Sequence, residues 1–114
     1  MLQETLKLAE NINAETENFA YSEKNKGAGY AGRLDTTTTV QYILDNFSGA
    51  IKIQGSLELY PGDDDWVDIE DTLIDDVSSV LNDDYTISFT GNFLWLRAAY
   101  QITNGTISSI RYNL

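Results

Sequence analysis

Residues 91–100 constrain the fold more than any other part of this chain. They read GNFLWLRAAY, hold the densest group of large apolar side chains in the sequence, and are followed closely by the pair Asn104-Gly105. On an extended chain, Phe93 and Trp95 point to one side, and the leucines beside them point to the other. Both faces are therefore apolar, as expected of a central β-strand that is covered on two sides.

The Asn-Gly pair predicts a β-hairpin after this strand. Both residues tolerate the positive φ of a type I′ turn, and the pair is the strongest short-range signal for such a turn. The turn would fold residues 106–112 back onto the first strand and would place Tyr112 opposite Arg97. Because Arg97 lies between apolar neighbours, we expect its guanidinium to stack on an aromatic ring or to pair with a carboxylate.

Residues 50–59 show the cleanest alternation of apolar and polar side chains in the chain. Isoleucines and leucines occupy one face, while Lys52 and Gln54 lie on the other, which is predicted to face water or a partner. Gly55 falls on the apolar face, where a neighbouring aromatic ring would need room. Leu57 and Leu59 continue the pattern and are expected in the core.

Other segments complete an all-β pattern. Residues 36–44 and 85–89 predict two more half-buried strands, and residues 45–49 predict a turn. Residues 72–84 are acidic and serine-rich, and they predict a loop with a helical turn near Ile74. The whole chain should form about seven or eight short strands, which is typical of an antiparallel β-sandwich of jelly-roll-like type.

The length of 114 residues indicates one domain covering residues 1–114. Residues 1–35 differ from the rest and are predicted either as short strands or as an N-terminal arm or lid. A helix over residues 2–12 is the alternative, because Leu2, Leu6 and Ala9 would share one helical face.

Charge and composition exclude several classes of function. The net charge is −11, with seven basic residues, so binding to nucleic acid or to an anionic membrane surface is not expected. The chain has no histidine and no cysteine, which removes the commonest general base, nucleophile pairs that need histidine, and thiolate metal sites. No apolar run approaches the ~20 residues of a membrane span, and the first residues lack the pattern of a signal peptide. We expect a soluble protein without a cofactor that is not exported by a signal peptide, and not an enzyme.

A glycine-rich stretch at residues 26–33 invites comparison with a phosphate-binding loop. It lacks the GK[ST] sequence of a P-loop, and no strand-to-helix context surrounds it. The spacing favours a tight turn in which one backbone segment approaches another.

Several short pieces of the sequence occur in an order typical of one protein family. These pieces are KGAGY with Gly32, TVQ at residues 39–41, NFSG at 46–49, IQGSL at 53–57, Asp65-Trp66, GNF at 91–93 with Trp95 and Arg97-Ala98, and GTI at 105–107 with Ile110. The ordered set resembles a family of structural proteins from marine tailed bacteriophages, especially cyanophages. Where the family often carries a glycine and a histidine, this chain has LDTTT at residues 34–38. The resemblance implies a β-domain of the virion and brings no catalytic residues.

Two kinds of ligand site can be weighed from residue types. The acidic run with Asp63, Asp64, Asp65 and Asp68 supplies the hard oxygen ligands that calcium prefers, but it does not match an EF-hand, and the pattern favours a solvated acidic loop. Aromatic residues could instead form a stacking platform for sugars, with the alternative that Trp66 and Trp95 anchor the core. The ligand or interface candidates are Tyr30, Tyr42, Tyr60, Trp66, Arg97 and Tyr112.

The leading hypothesis is therefore a non-enzymatic structural or assembly protein of a phage virion, with a carbohydrate-binding or host-recognition module as the alternative. The predicted hairpin has two apolar faces, of which a two-layer sandwich can bury only one. The N-terminal segment or a second subunit would have to cover the other. We expect self-association, as a homodimer or homotrimer, besides contacts with other virion proteins.

Overall fold

The computed structural model describes residues 5–12, 18–30, 37–81 and 84–113, and these residues form one antiparallel sheet of eight strands. The all-β prediction is thus confirmed, while the jelly-roll connectivity stays a prediction. Three segments discussed above lie outside the described residues: residues 1–4 and 13–17 of the predicted arm, and residues 31–36, which include the end of the glycine-rich stretch. The strands are β1 (Thr5–Ile12), β2 (Ala20–Tyr21), β3 (Asn25–Lys26), β4 (Thr37–Ser56), β5 (Val67–Asp68), β6 (Ile74–Leu81), β7 (Asp84–Thr90) and β8 (Trp95–Asn113), and a 3-10 turn covers Asp63–Asp65.

Two long strands organise the sheet. β4 and β8 pair with each other along nearly their whole lengths, from Thr39 opposite Asn113 to Ser56 opposite Trp95. β1, β2 and β3 pair in turn with the free edge of β8, and β5, β6 and β7 pair with the free edge of β4. The described parts of the N-terminal segment therefore contribute three strands to the sheet.

The predicted hairpin at Asn104-Gly105 is wrong, because β8 continues through both residues. Gly105 does have the positive φ that the pair favours, at 83°, but in a region where the register of β4 against β8 shifts. A Cβ on Gly105 would overlap the carbonyl oxygen of Asn46, whose own φ is 51°. The predicted turn at residues 45–49 is likewise an irregular part of a continuous strand. A positive φ occurs in β-bulges as well as in turns, and at Asn46 and Gly105 it belongs to the bulge.

These irregularities bend the two long strands. A straight strand of 20 residues would span about 66 Å, whereas the longest dimension of the molecule is 39 Å. The two halves of the sheet face each other across one core, which includes Leu96 and Ile102 from the first half of β8 and Ile107 and Ile110 from the second. Residues that a straight hairpin would place on opposite faces thus share one core. The two apolar faces on which the predicted self-association rested do not exist in this form.

Two buried tyrosines connect the halves. The hydroxyl of Tyr42, on the first half of β4, donates a 2.8 Å hydrogen bond to the carbonyl oxygen of Thr72, which lies beside the second half. The hydroxyl of Tyr112 donates a 2.8 Å hydrogen bond to the carbonyl oxygen of Lys26 in β3. Both were ligand candidates from the sequence, and the structure places both in the core instead. Burial raises the pKa of Tyr42 and raises that of Tyr112 to about 12.

Other local predictions are also corrected. Residues 74–81 form β6, an edge strand on the centre of β4, rather than a loop with a helical turn. Residues 5–12 form β1, so the helical alternative is wrong for them. Leu57 and Leu59 are exposed because β4 ends at Ser56, before the alternation in the sequence ends. Within the described residues, the chain has no helix long and apolar enough to cross a membrane.

Candidate ligand-binding face

The outward surface of the second half of β4 and the first half of β8 collects most of the unusual side chains of this protein. Alternate residues point outward there, which places Trp95 beside Ser56, Arg97 beside Gln54, and Lys52 beside Ala99. The prediction that Lys52 and Gln54 share a face away from the core is consistent with this placement. We call this surface, together with the rings and cations that contact it, the aromatic–cation face; its members are Phe19, Tyr21, Lys24, Lys26, Tyr30, Lys52, Gln54, Trp66, Asp68, Trp95 and Arg97.

Arg97 lies at the centre of this face, between two aromatic rings. Its guanidinium carbon is 4.0 Å from the centre of the Tyr21 ring and 4.4 Å from that of Trp66. Its Nε donates a 2.8 Å hydrogen bond to Oε1 of Gln54. Burial lowers the pKa of Arg97, while Tyr21 and Asp63 act in the opposite direction. The predicted stacking of Arg97 is confirmed, but its ring partners are Tyr21 and Trp66 and not Tyr112.

A chain of polar contacts extends from Arg97 across the face. Nε2 of Gln54 donates a 2.9 Å hydrogen bond to Oδ1 of Asp68, and Nζ of Lys52 lies 3.0 Å from Oδ2 of the same carboxylate. The bond from Gln54, and then Lys52, lower the pKa of Asp68 against the opposing effect of burial. Nζ of Lys52 also lies 4.5 Å from the centre of the Phe19 ring. The chain fixes the orientation of the Gln54 amide, with its oxygen toward Arg97 and its nitrogen toward Asp68.

Trp95 forms a second stack next to Arg97. Its ring centre is 4.9 Å from that of Tyr30, at an interplanar angle of 48°. Nζ of Lys24 lies 4.6 Å from the Trp95 ring, and Nζ of Lys26 lies 4.9 Å from the Tyr30 ring. The indole nitrogen donates a 2.9 Å hydrogen bond to the carbonyl oxygen of Leu59. Trp95 was expected in the core; it is half-buried and belongs to the outer face, because Leu96 points inward.

Glycines hold the segment that carries Tyr30 against the sheet. The amide of Gly27 donates to the carbonyl oxygen of Leu94 at 2.8 Å, and that of Gly29 donates to Phe93 at 2.9 Å. A Cβ on Gly27 would overlap the carbonyl oxygen of Phe93, and a Cβ on Gly29 would overlap that of Asn92. The glycine-rich stretch is therefore a close approach of two backbones, as predicted. The ring of Phe93 also fills the space over Gly55, where a Cβ would lie 2.5 Å from a ring carbon, which confirms the predicted aromatic neighbour.

The face concentrates positive charge on an acidic protein. Four of the seven basic residues of the chain, Lys24, Lys26, Lys52 and Arg97, contact its rings. Cations held over aromatic rings contribute about 0.5–1 kcal/mol each at exposed sites. Such contacts limit the motion of the long side chains without neutralising them. The members of the face thus include four cations and one carboxylate, Asp68, on a chain whose net charge is −11.

The structure brings only part of the sequence-predicted ligand site together. Tyr30, Trp66 and Arg97 meet on the face, whereas Tyr60 lies in a loop, is 85% exposed, and stacks on no described ring. Tyr21, Lys24 and Trp95 were not predicted as site residues. The sequence offered no signal for Tyr21 or Lys24, since both reach the face only through the pairing of β2 and β3 with β8.

The predicted calcium candidates separate into two groups. Asp63, Asp64 and Asp65 form an exposed 3-10 turn in which Oδ2 of Asp65 accepts a hydrogen bond from the amide of Gly62. Asp68 is held instead by Gln54 and Lys52 on the aromatic–cation face. Among the residues that the structure describes, no three acidic side chains converge as metal ligands would.

Two shallow grooves lie elsewhere on the described surface. One, on the outer side of the first sheet half, is lined by polar residues such as Thr39, Gln41 and Arg111. The other lies between residues 68–71 and the end of β7, next to Phe93. Neither groove combines rings and cations as the aromatic–cation face does, so that face is the strongest candidate for ligand binding.

Comparisons of the chain with protein-family models, with curated proteins and with solved structures find no match.

Proposed function

We propose that this chain is a non-enzymatic structural or assembly domain of a phage virion, and that it contacts its partner through the aromatic–cation face. The resemblance to the marine phage family supports the virion role. The absence of histidine from the chain favours binding over catalysis.

One observation carries this proposal: four of the seven pieces that resemble the phage family, at residues 26–30, 53–57, 65–66 and 91–98, meet around the aromatic–cation face. Gly27 and Gly29, from one piece, lie against the backbone of residues 92–94. The ring of Phe93, from a second piece, packs on Gly55, from a third. The same pieces supply Tyr30, Gln54, Trp66, Trp95 and Arg97 to the face. Pieces that lie far apart in the sequence thus form one surface and the packing contacts beneath it.

The virion role can be tested in purified particles. Mass spectrometry of tailed-phage particles, separated on a density gradient from a lysate that contains this chain, should find it in the particle fractions. An Arg97→Gln chain should be incorporated less than an Arg111→Gln chain, which loses the same charge on the outer side of the other sheet half. Finding the chain only in the soluble fractions of the gradient would refute the virion role.

A carbohydrate-binding module is the second candidate, and the exposed rings of the face favour it. Tyr21 is 49% exposed and Tyr30 is 43% exposed, although each already contacts a cation on the face. Amphipathic rings of this kind suit the apolar side of a sugar. A glycan array should therefore show binding that Tyr30→Ala weakens and Tyr60→Ala leaves intact. Equal binding by both variants would argue against the face as a sugar site.

A further inference from the structure

Arg97 has no carboxylate partner among the described residues, although the chain has 18 acidic residues and seven basic ones. Lys7 and Lys52 both form ion pairs, with Glu10 and Asp68. The guanidinium of Arg97 instead contacts two rings and one neutral amide oxygen. Asp63 acts on the Arg97 guanidinium through space and opposes the lowering of its pKa by burial, but the two side chains form no ion pair. In so acidic a chain, a guanidinium that pairs with no carboxylate among the described residues is suited to bind an anionic group of another molecule.

The contacts of Arg97 fix its position but leave donors for a ligand. The rings of Tyr21 and Trp66 both lie within 4.4 Å of the guanidinium carbon, and Oε1 of Gln54 accepts the hydrogen bond from Nε. Oδ1 of Asp68 accepts a hydrogen bond from the Gln54 amide, and Lys52 pairs with the other oxygen of Asp68. The Nη groups of Arg97 have no acceptor among the described residues. Two such parallel donors on a planar group match the two oxygens of a carboxylate.

The surroundings of Arg97 indicate the kind of ligand. Lys24 and Lys26, on the neighbouring stack, extend the positive charge, and the exposed rings of Tyr21 and Tyr30 offer apolar surface beside it. A ligand that presents both a negative group and a flat, partly apolar ring would use all of these features. We propose that Arg97 binds the carboxylate of an acidic glycan, whose sugar rings contact Tyr21 and Tyr30. This inference rests on the carbohydrate-binding candidate and narrows it to sugars that carry a carboxylate.

A glycan array that carries uronic-acid and sialic-acid glycans beside their neutral counterparts tests the inference. Acidic glycans should bind at least about tenfold more tightly than their neutral counterparts, as expected for a charge-assisted contact. Arg97→Gln should abolish this preference, and Arg111→Gln should leave it unchanged. Arg97→Lys keeps the charge and loses the planar fork, so its affinity should lie between those of the wild type and Arg97→Gln. The preference should also weaken as salt rises.

The other outcomes separate this inference from its basis. Binding of neutral and acidic glycans with equal affinity would overturn the inference and leave the carbohydrate candidate standing. Absence of binding to every glycan would overturn both. Binding of an oligoglutamate peptide through Arg97, without binding to glycans, would overturn the inference and show that the face recognises an acidic protein. Circular dichroism of each variant confirms that a loss of binding is not a loss of folding.

Discussion

Substituting Tyr42 with phenylalanine tests how the two halves of the sheet are held together. The Tyr42 hydroxyl lies in the core and donates its 2.8 Å hydrogen bond to the carbonyl oxygen of Thr72. Thr72 is itself buried, and its hydroxyl donates to the carbonyl oxygen of Ile69 at 2.7 Å and accepts from the amide of Ile53 at 3.1 Å. The tyrosine therefore joins the first half of the sheet to a turn that is fixed on the second half.

The expected loss of stability follows from what Tyr42→Phe leaves behind. The ring keeps its packing, so little apolar contact is lost. The carbonyl oxygen of Thr72 loses the partner seen in the structure and stays buried, which costs about 1–3 kcal/mol. The free energy of unfolding should fall by that amount, and the urea midpoint should shift down by roughly 1 M for a protein of this size.

Urea denaturation followed by the fluorescence of Trp66 and Trp95 measures this loss. Tyr60→Phe is the matched control, because it removes the same hydroxyl from a ring that is 85% exposed, and it should change stability by less than about 0.5 kcal/mol. A loss below about 0.5 kcal/mol for Tyr42→Phe would refute the contact between the halves. Weakened ligand binding by Tyr42→Phe at unchanged stability would place the ring on the surface after all.

Three further predictions follow from packing, from titration and from the surface. Gly55→Ala should destabilise the fold by about 1–3 kcal/mol in the same assay, because its Cβ would lie 2.5 Å from the Phe93 ring. Gly62→Ala is the control and should cost little, because its Cβ would make only an ordinary 3.5 Å contact. Equal losses of stability for the two variants would refute the close packing at Gly55. The raised pKa of Tyr112, about 12, means that the folded state keeps a proton that the unfolded state releases near pH 10. The contribution of Tyr112 to stability should therefore be full below pH 10 and fall between about pH 10 and 12. A thermal midpoint that does not change over this range would contradict the buried environment of the ring. Self-association stays a prediction, and light scattering after size exclusion should show a mass above 12.8 kDa; a single species of that mass at high protein concentration would refute it.

Local alternation predicted a substantial part of this fold. The strands around residues 37–44, 50–56 and 85–89 are recognisable because a half-buried strand alternates between core and surface. The room over Gly55 and the close approach at the glycine-rich stretch were also predictable, since a missing side chain indicates that something else occupies the space. The stacking of Arg97 followed from its position between apolar neighbours.

The path of the chain at Asn104-Gly105 could not be decided from the sequence. A type I′ turn and a bulge both use a positive φ, so the pair fits either. The choice depends on whether β8 pairs with itself or with β4, whose residues precede their partners in β8 by 39 residues or more. Pairing with β4 gives both long strands a partner throughout, and the bend then closes one core from two sheet halves.

The candidate site was decided almost entirely by the tertiary structure. Tyr30, Trp66 and Arg97 could be suspected from their residue types, but so could Tyr42 and Tyr112, and burial alone separates the two groups. The sequence determined that the chain alternates as β-strands do, that it is acidic, and that it lacks histidine. The aromatic–cation face exists because long-range pairing places β2 and β3 beside β8, and β5 next to Trp66 beside β4, in the same half of the sheet. Contacts between residues so far apart leave no periodic mark on the sequence, so only the folded chain brings them together.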